Sequence, residues 1–157
     1  MKNNEYIDKL FKDAGWFKGR LKVIENNSGI NCDVQKRALE ILSEYSGLHI
    51  GEVREGQECA ASDITFLEKL NGVYIEASGI GHLVLVALAH HDYISVLINK
   101  HGKFYFYTDI DEKLYFGGNN LREAALKLLL GLDYGQPLQA DFRYCNYIYL
   151  NSDSLDT

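Results

Sequence analysis

Between Leu83 and Thr108 three runs rich in β-branched, aliphatic and aromatic residues follow one another: Leu83–Ala89, Tyr93–Asn99 and Lys103–Thr108. Only short polar steps separate them. Such runs read as strands, and connections this short allow only antiparallel pairing, because a parallel crossover needs a dozen or more residues. His101-Gly102 supplies the tight turn of the second hairpin, since glycine tolerates positive φ. Ile94, Val96 and Ile98 then alternate on one arm and Phe104 and Phe106 on the other. His90-His91-Asp92 falls where the first hairpin turns. The chain therefore has to contain an antiparallel sheet.

The flanks read as helices. Tyr6, Ile7, Leu10, Phe11 and Ala14 share one face of a segment over Glu5–Ala14, which Asn3 or Asn4 can cap, with Gly15 at its end. Val34, Ala38, Ile41, Leu42 and Tyr45 repeat at helical spacing behind Asn31 or Asp33, and Gly47 stops that helix. Asn119 or Asn120 caps a third, Leu121–Gly131, whose broad apolar stripe suits burial against a sheet. Leu48–Val53, Cys59–Leu67 and Leu114–Phe116 are further short strands, and Phe142–Leu150 is a late, tyrosine-rich one. Lys69–Gly81 is ambiguous. Val73, Ile75 and Ala77 alternate as in a strand. The expected fold is α+β: N-terminal helices, a central, mainly antiparallel sheet of five to six strands, and a C-terminal helix packed on the sheet. One domain over residues 1–150 and a polar tail over 151–157 complete the expectation.

Composition narrows the function. The 157 residues carry a net charge of −6, which argues against non-specific nucleic-acid binding, a property that needs clustered lysine and arginine. The longest apolar run is far shorter than the roughly 20 residues of a membrane helix, and the N-terminus lacks a secretory core, so a cytoplasmic location is expected. Cys32, Cys59 and Cys145 form no C-x-x-C pair and read as reduced, mostly buried thiols.

No segment carries a catalytic pattern. His90, His91 and Asp92 are adjacent, which suits a solvated turn better than one metal ion, and the S-G-I-G before His82 lacks the lysine of a phosphate loop. No catalytic residue, metal site or cofactor is expected. Two acidic groups, Glu52, Glu55, Glu58 and Asp109, Asp111, Glu112, read as solvated rims or as contacts for a basic partner. The late tyrosines Tyr144, Tyr147 and Tyr149 are either edge packing or interface anchors.

Four segments together carry a resemblance. They are Gly15-Trp16 with Gly19-Arg20, Gly47-Leu48-His49-Ile50, the hairpin Ile98-Asn99-Lys100-His101-Gly102-Lys103-Phe104-Tyr105, and the glycine-terminated helix Leu121–Gly131. Over about Leu10–Leu132 the chain resembles the third subgroup of the SUKH superfamily, whose bacterial members are mostly immunity proteins. It departs in lacking an acidic-proline step after Phe66 and in having Leu85-Val86-Ala87-Leu88 at the central strand. The resemblance favours a helix over Lys69–Gly81, which is the preferred reading there, and it implies no catalytic residues. It implies direct binding and inhibition of a cognate toxin protein, often a nuclease or deaminase, while charge and hydropathy lead to the expectation of no membrane and no direct nucleic-acid partner. The alternative is a regulatory or scaffolding module of the same fold that binds some other protein.

Overall fold

The computed structural model describes residues 2–25, 32–58, 60 and 62–146. Among them are three helices, α1 (Lys2–Asp13), α2 (Asp33–Tyr45) and α3 (Leu121–Leu130). Eight strands accompany them: β1 (His49–Gly51), β2 (Asp63–Phe66), β3 (Val73–Ala77), β4 (Gly81–Ala89), β5 (Ile94–Ile98), β6 (Phe104–Thr108), β7 (Lys113–Gly118) and β8 (Phe142–Asn146). All strand pairs are antiparallel. The α+β architecture is as expected, but the sheet has eight strands where five to six were expected.

The difference arises on both sides of the hairpin block. β3 is a strand where a helix was preferred: Tyr74 pairs with Val84 and Ala77 with Gly81, so the alternation of Val73, Ile75 and Ala77 was the physically relevant signal. β2 and β3 lie one after the other along the same edge of β4, β2 opposite Ala87–Ala89 and β3 opposite Gly81–Val84. The sheet therefore forks, with β1 beyond β2 and β8 beyond β3. A bulge at Val86 shifts the β4–β5 register between Leu85 and Ala87. Val84, Val86, Ala87 and Ala89 all reach one core, while Leu83 and Leu85 reach the other. That is why β4 reads as an unbroken apolar run: it is buried on both faces.

The helices cover one face. Ile7, Leu10 and Phe11 of α1, Val34, Ala38 and Leu42 of α2, and Ala124, Ala125 and Leu128 of α3 bury Ile94, Val96, Ile98, Phe104 and Phe106. On the other face a smaller core of Ile75, Leu83, Leu85, Leu97, Tyr105 and Leu114 is closed by Leu138 and Phe142. The sheet curls enough that the β8 ring of Tyr144 lies 5.4 Å from Tyr107 on β6.

Helix starts differ from the sequence reading in two places. α1 already begins at Lys2, so Asn3 and Asn4 lie inside it and do not cap it. α2 is preceded by Cys32, whose side chain makes no capping bond, with Asp33 as its first residue. Asn31 lies outside the described residues. α3 follows the expectation: Asn120 accepts a hydrogen bond from the Glu123 amide, and Gly131 is left-handed. Cys32 and Cys145 are half-buried rather than buried, and Cys59 lies outside the described residues.

The segments that carry the resemblance have structural work to do. Arg20 is only 7% exposed, and its guanidinium donates to the carbonyls of Glu44 and Ser46, the latter at 2.6 Å, where the last turn of α2 leaves oxygens without helical partners. Trp16 donates its indole N–H to Glu44 at 3.1 Å and packs on the main core. The Ala14–Arg20 segment thus ties α1 to the end of α2. In the β5–β6 turn, buried Asn99 accepts from the amides of His101 and Lys103, both at 2.9 Å.

Candidate partner-binding end

Strand direction sorts the connections onto two ends of the sheet. Ile64 pairs with Ala89, Ala89 with Ile94, and Ile94 with Thr108. The β1–β2 loop (52–62), the β4–β5 turn (90–93) and the β6–β7 turn (109–112) therefore emerge side by side. Their described residues include seven carboxylates, Glu52, Glu55, Glu58, Asp92, Asp109, Asp111 and Glu112, against a single arginine, Arg54. The β3–β4, β5–β6 and β7–α3 connections occupy the opposite end. There the β5–β6 turn holds Lys100, His101 and Lys103, and none of the three connections carries a carboxylate. The two acidic groups that were separate in sequence thus share the acidic end, on either side of the β4–β5 turn.

They are not equally available. Glu52 accepts a hydrogen bond from the Tyr6 hydroxyl and sits 3.9 Å from Arg54, so it fastens the β1–β2 loop to α1. Asp111 accepts from the Thr108 hydroxyl, from the Lys113 amide at 3.1 Å and from the Tyr115 hydroxyl at 2.6 Å. Those donors, the Thr108 hydroxyl foremost, hold its carboxyl below the usual range. Both residues build the end rather than extend from it. Glu55, Glu58, Asp92, Asp109 and Glu112 are exposed, and their carboxylates have no hydrogen-bond or ion-pair partner among the described residues.

Exposed apolar side chains stand among these acids. Val53 is 58% exposed, Tyr93 55%, Ile110 85% and Leu132, just past α3, 48%. Sequence reasoning missed them because each is a lone apolar residue in a polar stretch. Tyr144 reaches the same region: it is half-exposed, and burial raises its phenol while a contact with Ser95 partly offsets that. Tyr147 and Tyr149 lie outside the described residues.

The backbone of this end is held in an unusual state. His90, His91, Asp92 and Glu112 have φ between 50° and 73°, and among the described residues they are the non-glycine residues with positive φ. His and Asp tolerate that region better than most, yet it costs on the order of 1 kcal/mol each. Surrounding contacts enforce it. The His90 ring Nε2 lies 2.8 Å from the Leu128 carbonyl oxygen, and the His91 amide donates to Asp63 Oδ1 at 2.9 Å. Asp63, buried, also contacts the His49 ring at 2.8 Å. Burial disfavours its ionised form, but the His91 amide and the His49 ring outweigh that and leave its carboxyl below the usual value. The adjacent histidines are thus used to fix a turn. Among the described residues no group of three or more His, Cys, Asp or Glu could hold a metal ion.

His82, on the other half of β4, stacks on Tyr74 at 5.0 Å and lies 3.3 Å from Glu76, part of a strand pairing and not of a phosphate loop. Among the described residues no helix is long and apolar enough to cross a membrane.

Compared with known families, the chain matches the SUKH-3 immunity protein family over residues 3–131. No curated protein and no solved structure matches it.

Proposed function

The chain belongs to the SUKH-3 immunity protein family, and on that premise we propose that it binds a cognate toxin through the acidic end of its sheet and neutralises it by direct protein–protein inhibition. The observation that carries this is the convergence of three connections that place three exposed apolar side chains, Val53, Tyr93 and Ile110, among five unpartnered carboxylates, with Leu132 exposed just past α3. Apolar anchors inside a charged rim are the composition of a specific interface, in which the anchors supply affinity and the rim supplies steering. The motifs of the resemblance support the same assignment by elimination. Arg20, Asn99, Gly102 and Gly131 are occupied in capping and turning the chain, and none of the four motif segments includes residues 52–62, 90–93 or 109–112.

A strongly negative end suits a toxin with a basic surface, as a nucleic-acid-cleaving or nucleic-acid-modifying enzyme has. The chain acts by binding, without catalysis or cofactor, in the cytoplasm of the cell that makes the toxin. Co-expression with the C-terminal domain of the toxin encoded beside it tests the proposal. Rescue of growth together with a stoichiometric complex on purification is expected. Failure of both would remove the immunity role and leave a regulatory protein-binding module as the reading.

A further inference from the structure

Resting on that reading, we infer that the cleft between the β4–β5 and β6–β7 turns is a preformed socket for one segment of the toxin: an aliphatic or aromatic side chain flanked by lysine or arginine. The cleft measures about 590 Å³ and has Tyr93 and Ile110 on its rim, with Ile94, Tyr115 and Tyr134 beneath. Its floor is ordered in the free protein. The Tyr134 ring meets Phe106 at 5.1 Å and Tyr115 at 5.9 Å, and burial pushes its phenol to about 12, so it stays neutral.

Ile110 is the informative residue. It stands at the tip of the β6–β7 turn between Asp109 and Asp111 and joins neither core of the fold. Nothing in folding explains an isoleucine there, whereas burying such a side chain on association is favourable. The walls are rigid: Asp111 ties Thr108 to Tyr115 on one side, and His90 is held to α3 on the other. Ordering achieved before binding spares the complex that entropy.

Charge names the flanking residue. Asp111 and Asp133 line the cleft together with His90 and His91, Asp92, Asp109 and Glu112 belong to the two turns that frame it, and Lys113 follows directly at the start of β7. A cation entering here meets carboxylates and exposed aromatic faces together, and both attract it.

The test uses the full chain and, as probe, a catalytically inactivated toxin domain from the neighbouring gene. Dissociation constants are compared for the wild type, Ile110→Asp, Ile110→Ala, Tyr93→Ala and, as a control on exposed α2, Lys36→Glu, with melting curves for each. The socket predicts a loss of about 100-fold for Ile110→Asp and about 10-fold for Ile110→Ala and Tyr93→Ala, with unchanged melting, as for hot-spot residues. The control should stay within about threefold. Asp109→Lys with Asp133→Lys should weaken binding about 10-fold and flatten its salt dependence. If the wild type binds and the Ile110 and Tyr93 variants match it, the socket is overturned while the immunity function stands. If the double reversal leaves binding and its salt dependence unchanged, the basic flank is overturned. If the wild type dimerises alone and Ile110→Asp makes it monomeric, the cleft seats a second copy and the inference fails. If the wild type does not bind the domain, the immunity reading fails and the socket falls with it.

Discussion

The two ends of the sheet solve the same problem, reversing the chain between antiparallel strands, with different chemistry. At the basic end the residues suit their backbone: Gly79, Gly81 and Gly102 take the positive φ values, and Asn99 satisfies two turn amides. At the acidic end His90, His91, Asp92 and Glu112 adopt left-handed conformations that glycine would adopt more readily. One end is built from what the chain prefers locally. The other is imposed by Asp63 and by the Leu128 carbonyl, and it carries the exposed apolar residues and unpartnered acids. Backbone strain is retained where surrounding structure over-determines it, and it collects at functional sites. The difference therefore supports the proposal that the acidic end serves contact while the basic end serves folding.

Substitutions can break or sharpen this contrast. The largest effect belongs to the basic end. A Cβ on Gly118 would lie 2.7 Å from the Glu123 Cβ and 3.0 Å from the Ala124 amide nitrogen. Gly118→Val should destabilise by about 3 kcal/mol, because backbone at the start of α3 cannot give way. Denaturant unfolding measures this, and a loss below about 1 kcal/mol would mean that the β7–α3 junction is looser than the structure shows.

Next comes the support beneath the strained turn. Asp63→Asn keeps the shape but removes the ionised acceptor of the His91 amide and the partner of the His49 ring, at about 2 kcal/mol near neutral pH. Because the folded carboxyl titrates below its unfolded value of about 3.9, its contribution is present above that value and lost as pH falls through the folded one. The gap between wild type and Asp63→Asn should therefore close below about pH 4. A gap independent of pH would mean that the ionised form is not what holds the turn.

Gly102→Val, on the basic end, should cost about 1–2 kcal/mol, since φ is +79° and a β-branched residue resists that conformation even with open space around it. An unchanged melting temperature would contradict it. Asp92→Gly, on the acidic end, should have the opposite sign: relief of left-handed strain at φ 73° outweighs the entropy of glycine and raises stability by about 0.5 kcal/mol. The same change should weaken toxin binding by loosening the turn, so stability and affinity should move in opposite directions. If both rise, the strain has no part in recognition.

The smallest effect on the fold, within about 0.5 kcal/mol, is expected for joint reversal of Glu55, Glu58 and Asp109 to lysine, all exposed. Glu52 is excluded from that set because it is bound to Tyr6. The effect should appear in the association rate, which should fall several-fold and lose much of its dependence on salt as the Debye length shortens from about 30 Å at 0.01 M to about 10 Å at 0.1 M. Dissociation should change less, being set by the apolar anchors. An association rate indifferent to both reversal and salt would confine recognition to the apolar residues.

The sequence by itself determined whatever depends on neighbours within a few positions. The β4–β5–β6 meander, α2, α3 with its Asn120 cap and Gly131 stop, and the Asn99–Gly102 turn all follow from periodicity and turn chemistry, and the structure has them. The acidic groups and Tyr144 were also visible as candidate contacts, though not which of them the fold consumes. Only the tertiary structure decided the rest. The alternation of Val73, Ile75 and Ala77 left β3 ambiguous, and its pairing with Gly81–Val84, on the stretch of the β4 edge that β2 does not occupy, decided it as a strand. β8 joins the sheet through β3, across nearly 70 residues of chain. Glu52 and Asp111 became structural, while Val53, Tyr93 and Ile110 became candidates because strand direction put three connections on one end, and Leu132 became one at the end of α3. Periodicity reports which face of an element is apolar. It carries no information on which loops emerge together, and that is set by strand pairing over long sequence separation.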